Sequence, residues 1–370
     1  MNRLHKTRFF LFLVLAVALC MVCLPAAAAP QSGPIIIDHT STHLNEVPLS
    51  AIDHAKSTLH IAYGHTSHGS QITTGMTGLV SFAGAPYGGE TYRWNNGGTG
   101  GALDLHDYAM SGDLGNPDRT SWADRTRTYL NANPDVNVIM WSWCGQADTT
   151  AANIDLYLSL MNQLESEYPS VTFVYMTGHL TGSGADGNLN QRNEQIRAYA
   201  RANNKVLFDF ADIESYDPDG LVNYMALLAN DNCDYDSDGN GSRDTNWATA
   251  WQNAHPGEWY SCSSAHSQPL NANQKAYAAW HMFARIAGWD GNPVVEEPVT
   301  LPGQSGIPTD PDNDGLFEDL NANGRADFAD VTLFFEQMEW VAANEPVALF
   351  DFNGNGRIDF ADISALFTEL

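Results

Sequence analysis

Between Gly33 and Asp290, short runs rich in Val, Ile and Phe alternate with longer stretches of helical periodicity, and this restricts the fold more than any other feature. Val136–Trp141, Val171–Met176 and Lys205–Phe210 are continuously apolar, as strands covered on both faces are, and Thr58–Tyr63 reads as a further strand. Between them, the stretch from Thr149 to Tyr168 sets Ile154, Leu158 and Met161 on one helical face. The stretch from Leu189 to Asn203 does the same with Ile196, Tyr199 and Ala200. A last helix is expected from Asn273 to Ile286, with Asn271 or Asn273 as its cap and Gly288 past its end. The pattern predicts a three-layer α/β domain over residues 33–290: a parallel sheet flanked by helices. Chemistry in such a sheet belongs at the carboxyl ends of the strands.

Beyond Gly291 the periodicity stops. Residues 291–308 are rich in Pro and Gly and read as a linker. A duplication follows within residues 309–370. Asp319, Asn321, Asn323, Gly324, Arg325, Asp327 and Asp330 recur as Asp351, Asn353, Asn355, Gly356, Arg357, Asp359 and Asp362. Each copy offers oxygen-bearing side chains at loop positions 1, 3, 5, 9 and 12, with glycine at 6 and the backbone carbonyl of arginine at 7. Calcium takes six to eight hard oxygen ligands, and the glycine permits the turn that converges them. Incomplete versions occur at Asp310, Asp312, Asp314 and Gly315, and at Asp234, Asp236, Asp238 and Gly239.

At the other end, Arg3, Lys6 and Arg8 precede the apolar run from Phe9 to Leu24, then Pro25 and four alanines. Residues 1–29 therefore read as a secretory signal peptide, and the expected localisation is extracellular or cell-surface associated. No membrane span is expected after cleavage, and no sorting tail. The formal charge of −27 disfavours nucleic acid and anionic membranes as partners. Three cysteines lie outside the leader. In an oxidising compartment a Cys233–Cys262 disulfide is expected, because the two bracket a polar stretch, with Cys144 left free.

The segment Tyr63-Gly64-His65-Thr66-Ser67-His68-Gly69 follows the first predicted strand. Ser67 is a candidate nucleophile there, and His266, before the last helix, is its candidate base. Oxyanion donors can come from the cluster Gly97, Gly98, Gly100 and Gly101, or from Gly145 and Gln146. His65, His68 and His179 form an alternative three-nitrogen zinc set. Trp94, Trp141, Trp143 and Trp259 are candidates for lining a sugar cleft.

The order of a serine turn, a glycine loop, a polar amide after a middle strand and a histidine before the last helix resembles the SGNH (GDSL-like) hydrolases. That resemblance implies a flavodoxin-like sheet, Ser67 as nucleophile, His266 as base, and Gly101 and Gln146 in the oxyanion hole. Ser263 stands where that family has aspartate, so another group must hold His266 if it is a base. The tandem loops, each followed by an apolar helical stretch and each with Asp at position 12, resemble dockerins. That implies a small all-α, calcium-dependent module with a cohesin-like scaffold as partner. The two resemblances together imply a secreted ester hydrolase, with carbohydrate acetyl esters as a substrate class. The competing expectations are a non-catalytic carbohydrate-binding or surface-assembly protein and a histidine-based metal hydrolase.

Overall fold

The computed structural model describes residues 33–292, 297–312, 314–354 and 357–370. The signal-peptide reading and Asn355 therefore fall outside the described residues. No helix among those described is long and apolar enough to cross a membrane. The chain forms two compact units, one from the N-terminal side through Leu44 plus Ser50–Asp290, the other from Asn45–Leu49 plus Gly291–Leu370.

The first unit follows the alternation in order: β1 (Ile35–Ile37), α1 (Leu49–Thr58), β2 (His60–Gly64), α2 (Ser70–Leu79), β3 (Trp94–Asn95), β4 (Leu103–Met110), α3 (Ser121–Ala132), β5 (Val138–Trp141), α4 (Ala151–Glu167), β6 (Thr172–Met176), α5 (Asn188–Ala202), β7 (Val206–Phe208) and α6 (Phe210–Ile213). A small antiparallel ribbon, β8 (Asp234–Tyr235) and β9 (Thr245–Asn246), leads into α7 (Trp247–Ala254) and α8 (Pro269–Ile286). Seven strands form one parallel sheet in the order β1-β7-β6-β5-β2-β4-β3. The order reverses between β2 and β5, which pair in register from Ile61 and Val138 to Gly64 and Trp141. At such a switch point the loops leaving the two strands diverge and open a crevice. Right-handed crossovers then put α2 on one face and α3, α4 and α5 on the other. The packing agrees, since α2 lies on α8 while α3, α4 and α5 pack in succession.

The strands are buried as their composition requires: Ile61, Tyr63, Val138, Met140, Tyr175 and Phe208 are all inaccessible. On the α2 face the helices approach closely at Gly75, where a Cβ would come within 2.1 Å of the Ala272 carbonyl oxygen. The last helix starts at Pro269, a residue suited to a first turn, rather than at Asn273. Asn271 and Asn273 are not its caps. Both are fully buried, Asn271 donating to Ser267 Oγ at 2.7 Å and Asn273 accepting from the Tyr260 amide at 3.0 Å.

The expected Cys233–Cys262 disulfide is not formed; among the described residues Cys144, Cys233 and Cys262 are all free. Cys233 is enclosed beside Ser267, while Cys262 packs near Gly78 of α2 and accepts from Asn273, so each thiol has its own surroundings. Trp141 and Trp143 do not line a cleft. They are core residues, their ring N–H groups donating to Thr126 Oγ1 and the Met176 carbonyl at 2.8 Å each.

The second unit carries α9 (Phe328–Asn344), α10 (Val347–Phe350) and α11 (Phe360–Glu369). Its core joins Leu320, Val331, Phe334, Phe350, Phe352, Ile363 and Leu366. Leu301 is buried in that core and the Val299 amide donates to Glu345. Part of the stretch read as a linker is thus built into the unit, because it supplies an apolar side chain.

Candidate active site

The loops leaving β2, β5 and β6 meet at the carboxyl end of the sheet. The loop after β2 turns through Thr66–Gly69 directly into α2, its carbonyls accepting from the amides of Ser70, Gln71 and Ile72. The amides of Ser67, His68 and Gly69, in the turn that leads into α2, donate no hydrogen bond among the described residues. Gly69 cannot be replaced here: a Cβ would lie 2.2 Å from Ser142 Oγ and 2.5 Å from the His65 Cβ.

His68 occupies the centre. Its Nδ1 lies 3.1 Å from Cys144 Sγ, just beyond β5, and its Nε2 lies 3.1 Å from Asp231 Oδ2. An ionised carboxylate only accepts, so the His68 proton sits on Nε2 and the Nδ1 lone pair faces the thiol. The His68 ring is buried between two others, His179 at 3.7 Å and His266 at 4.4 Å between centroids, both nearly parallel to it. Burial lowers the pKa of His68 and neighbouring His179 adds to this, outweighing the hydrogen bond to Asp231. For Asp231, burial works upward, yet the His68 hydrogen bond and the adjacent imidazoles hold the carboxyl below its usual range.

The sequence-derived residues are rearranged accordingly. Ser67 is half-buried and its hydroxyl contacts Cys144 Sγ at 3.5 Å; no hydrogen bond joins it to His266. His266 is exposed, sits at φ 63°, and meets the site by stacking on His68, with no carboxylate among the described residues hydrogen-bonded to its ring. A positive φ at a residue other than glycine is an uncommon, strained state that clusters at functional positions. Gln146 does not aim its amide into the crevice. Its Oε1 accepts from the Cys144 amide at 3.0 Å, tying down the loop that carries the thiol.

Gly101 is at the wrong end of the sheet. It precedes β4, whose Asp104 pairs with His60 at the start of β2, whereas Ser67 follows the end of β2. The glycine-bearing loop that reaches the site comes after β4, where Asp113 accepts from Thr66 Oγ1 at 2.6 Å. Near its end β4 bulges, Ala62 pairing with His106 but Gly64 with Met110. The bulge presents Asp107 and Tyr108 to His65, whose Nε2 lies 2.7 Å from Asp107 Oδ1. His65 is therefore engaged away from the other histidines. At this site the ligand atoms that converge among the described residues are those of His68, His179 and Asp231, not those of His65, His68 and His179.

A buried polar network stands behind the crevice. Lys275 of α8 pairs with Glu214 at 2.7 Å, both inaccessible, and also donates to Gln71 of α2. Glu214 accepts from the Leu180 amide beside His179, and Gln71 donates to the Ala265 carbonyl beside His266. One ion pair thus braces three of the loops that carry the imidazoles.

In the second unit, Asp319 and Asp330 of the first loop are fully buried. Asp319 accepts from the amides of Asn323 and Gly324, and Asp330 from those of Asn321 and Asp327. Asp327 and Asp359 cap α9 and α11, with Asp330 and Asp362 completing capping boxes. Asp362 likewise accepts from the amides of Asn353 and Asp359. Arg325 is exposed, and Arg357 pairs with Asp359 at 2.8 Å. In the first unit, Asp236 is used by the amides of Gly239, Asn240 and Gly241 within its own hairpin, and Asp234 by surrounding asparagines.

Comparison of the chain with known protein families, with curated proteins and with solved structures finds no match.

Proposed function

We propose that the first unit is an acyl-ester hydrolase whose nucleophile is Cys144, with His68 as its base and Asp231 orienting the base. The carrying observation is the continuous path from Cys144 Sγ through both nitrogens of His68 to Asp231. A thiol, a base and an orienting carboxylate in that order make up the working parts of nucleophilic acyl transfer. The reaction class matches the one implied by the SGNH resemblance, but the nucleophile moves from Ser67 to Cys144.

In the first step the Cys144 thiol gives its proton to His68 Nδ1, and the sulfur attacks the ester carbonyl carbon. The charge that develops on oxygen is stabilised by the free amides at the start of α2. His68 returns the proton to the departing alcohol, leaving a thioester. Water, deprotonated by the same nitrogen, then releases the acid and restores the thiol. His266, exposed above His68, lies where an incoming substrate would pass. Carbohydrate acetyl esters remain the proposed substrate class, on the strength of the dockerin-like tail. The test is hydrolysis of an acetyl or butyryl ester before and after thiol alkylation. Turnover abolished by alkylation supports the reading; turnover that survives complete modification of Cys144 rejects it.

A second reading rests on His179. Its Nδ1 is bonded to the Leu180 carbonyl at 2.8 Å, leaving Nε2 bare, as in histidines that bind metal. With His68 and Asp231 it would offer zinc three ligands and an open position. Loss of turnover on chelation and its return with zinc would select this route.

For the second unit we propose calcium binding by the tandem loops and a protein partner on the paired helices. Phe328, Phe335, Phe360 and Phe367 are all largely exposed, and they pair across the duplication, Phe328 with Phe367 and Phe335 with Phe360. Clustered exposed aromatics favour a docking role. A cohesin-like scaffold fits this face.

A further inference from the structure

We propose that Asp310, Asp312, Asp314 and Glu318 form a calcium site of their own, separate from the two repeated loops. One carboxylate oxygen from each lies within 4.8 Å of those from the other three. An all-oxygen set of four carboxylates is the kind of ligand group calcium takes, at about 2.3–2.6 Å from the ion.

Glu318 carries the argument. It is only 5% exposed, and neither of its carboxylate oxygens has a hydrogen-bond partner among the described residues. Burying an ionised carboxylate without a partner is strongly unfavourable, and three facing aspartates add repulsion. A divalent cation relieves both. The aspartates alternate along the chain, and Gly315, at φ 100°, turns it so that Glu318 comes back towards them. The Gly315 amide donates to Asp310 Oδ2 and the Leu316 amide to Asp314 Oδ1, both at 2.9 Å, which holds the turn. The next residue, Asp319, serves the first repeated loop through the Asn323 and Gly324 amides. Adjacent carboxylates in the chain therefore belong to different sites.

The test counts calcium bound per full-length chain by equilibrium dialysis, for the wild type and for Glu318→Gln. The neutral, same-shaped variant is expected to bind one calcium fewer. If the repeated loops bind none, the wild type still binds one and Glu318→Gln none, so failure of the loop reading is distinguishable from failure of this one. An equal count in the two proteins overturns the proposal. Should Glu318→Gln not fold, hydrogen exchange of the wild type decides. Slower exchange at the Gly315 and Leu316 amides with calcium supports the site, and unchanged exchange overturns it.

Discussion

Cys144 Sγ and His68 Nδ1 lie 3.1 Å apart across the junction of β5 and β2, although 76 residues separate them in the chain. The contact exists because the two strands are neighbours at the point where the sheet order reverses, so that the loops leaving them face one crevice.

Cys144→Ala should abolish ester hydrolysis, with a fall of at least about 10³-fold in kcat, since the nucleophile cannot be replaced by its surroundings. Ser67→Ala should keep activity within about tenfold, because its hydroxyl only contacts the sulfur. Steady-state kinetics on an acetyl ester read both. A dead Ser67→Ala beside an active Cys144→Ala would restore the serine to the nucleophile's place.

The pH profile follows from His68. The ring accepts a proton only when neutral, and its pKa is held below the ordinary value near 6.5. Activity should therefore be retained as pH falls to 6.5 and lost only lower, as the ring protonates. Asp231→Asn removes the group that raises the pKa of His68, so the acid limb should move to still lower pH. Turnover should fall by about 10²–10⁴-fold, as the favoured tautomer is lost. An acid limb that stays in place in Asp231→Asn would show that this carboxylate does not act on His68.

Glu214→Ala should destabilise the first unit by about 3–5 kcal/mol, because it strands the Lys275 ammonium without its counter-charge. Burial already lowers the pKa of Lys275, and Glu214 is the main opposing influence. Denaturant unfolding of the full chain measures it. A loss below about 1 kcal/mol, the usual worth of an exposed pair, would mean the network is dispensable.

Asp319→Ala combined with Asp351→Ala should remove most of the calcium-dependent rise in Tm of the second unit, because position 1 of both loops is lost. Differential scanning calorimetry with and without calcium checks it. The same rise in the double variant would count against the loops as calcium sites.

What could be read from the chain alone was local. A continuous apolar run must be covered on both faces, a helical period buries one stripe, and a duplicated loop repeats its own spacing. Hence β5, β6, β7, α4 and α5 lie within a few residues of their expected places. The strand β4 escaped, since Asp104, His106 and Asp107 interrupt its apolar pattern while it bulges. The active-site partnership was of another kind. Chain order alone points to Ser67 and His266, but which side chains touch depends on strand order, register and loop direction, which no short window of sequence carries. Asp231 lies 163 residues from His68, in a polar stretch before β8 with no periodic signal, and reaches it only because the chain returns there after the sheet is complete. Likewise Gly101 has the right residue type at the wrong end of a strand, and only the parallel pairing of β2 with β4 separates the two ends. Local propensity is set by neighbours within a few residues; contact between side chains far apart in the chain is set by long-range packing, and here that packing joined Cys144, His68 and Asp231.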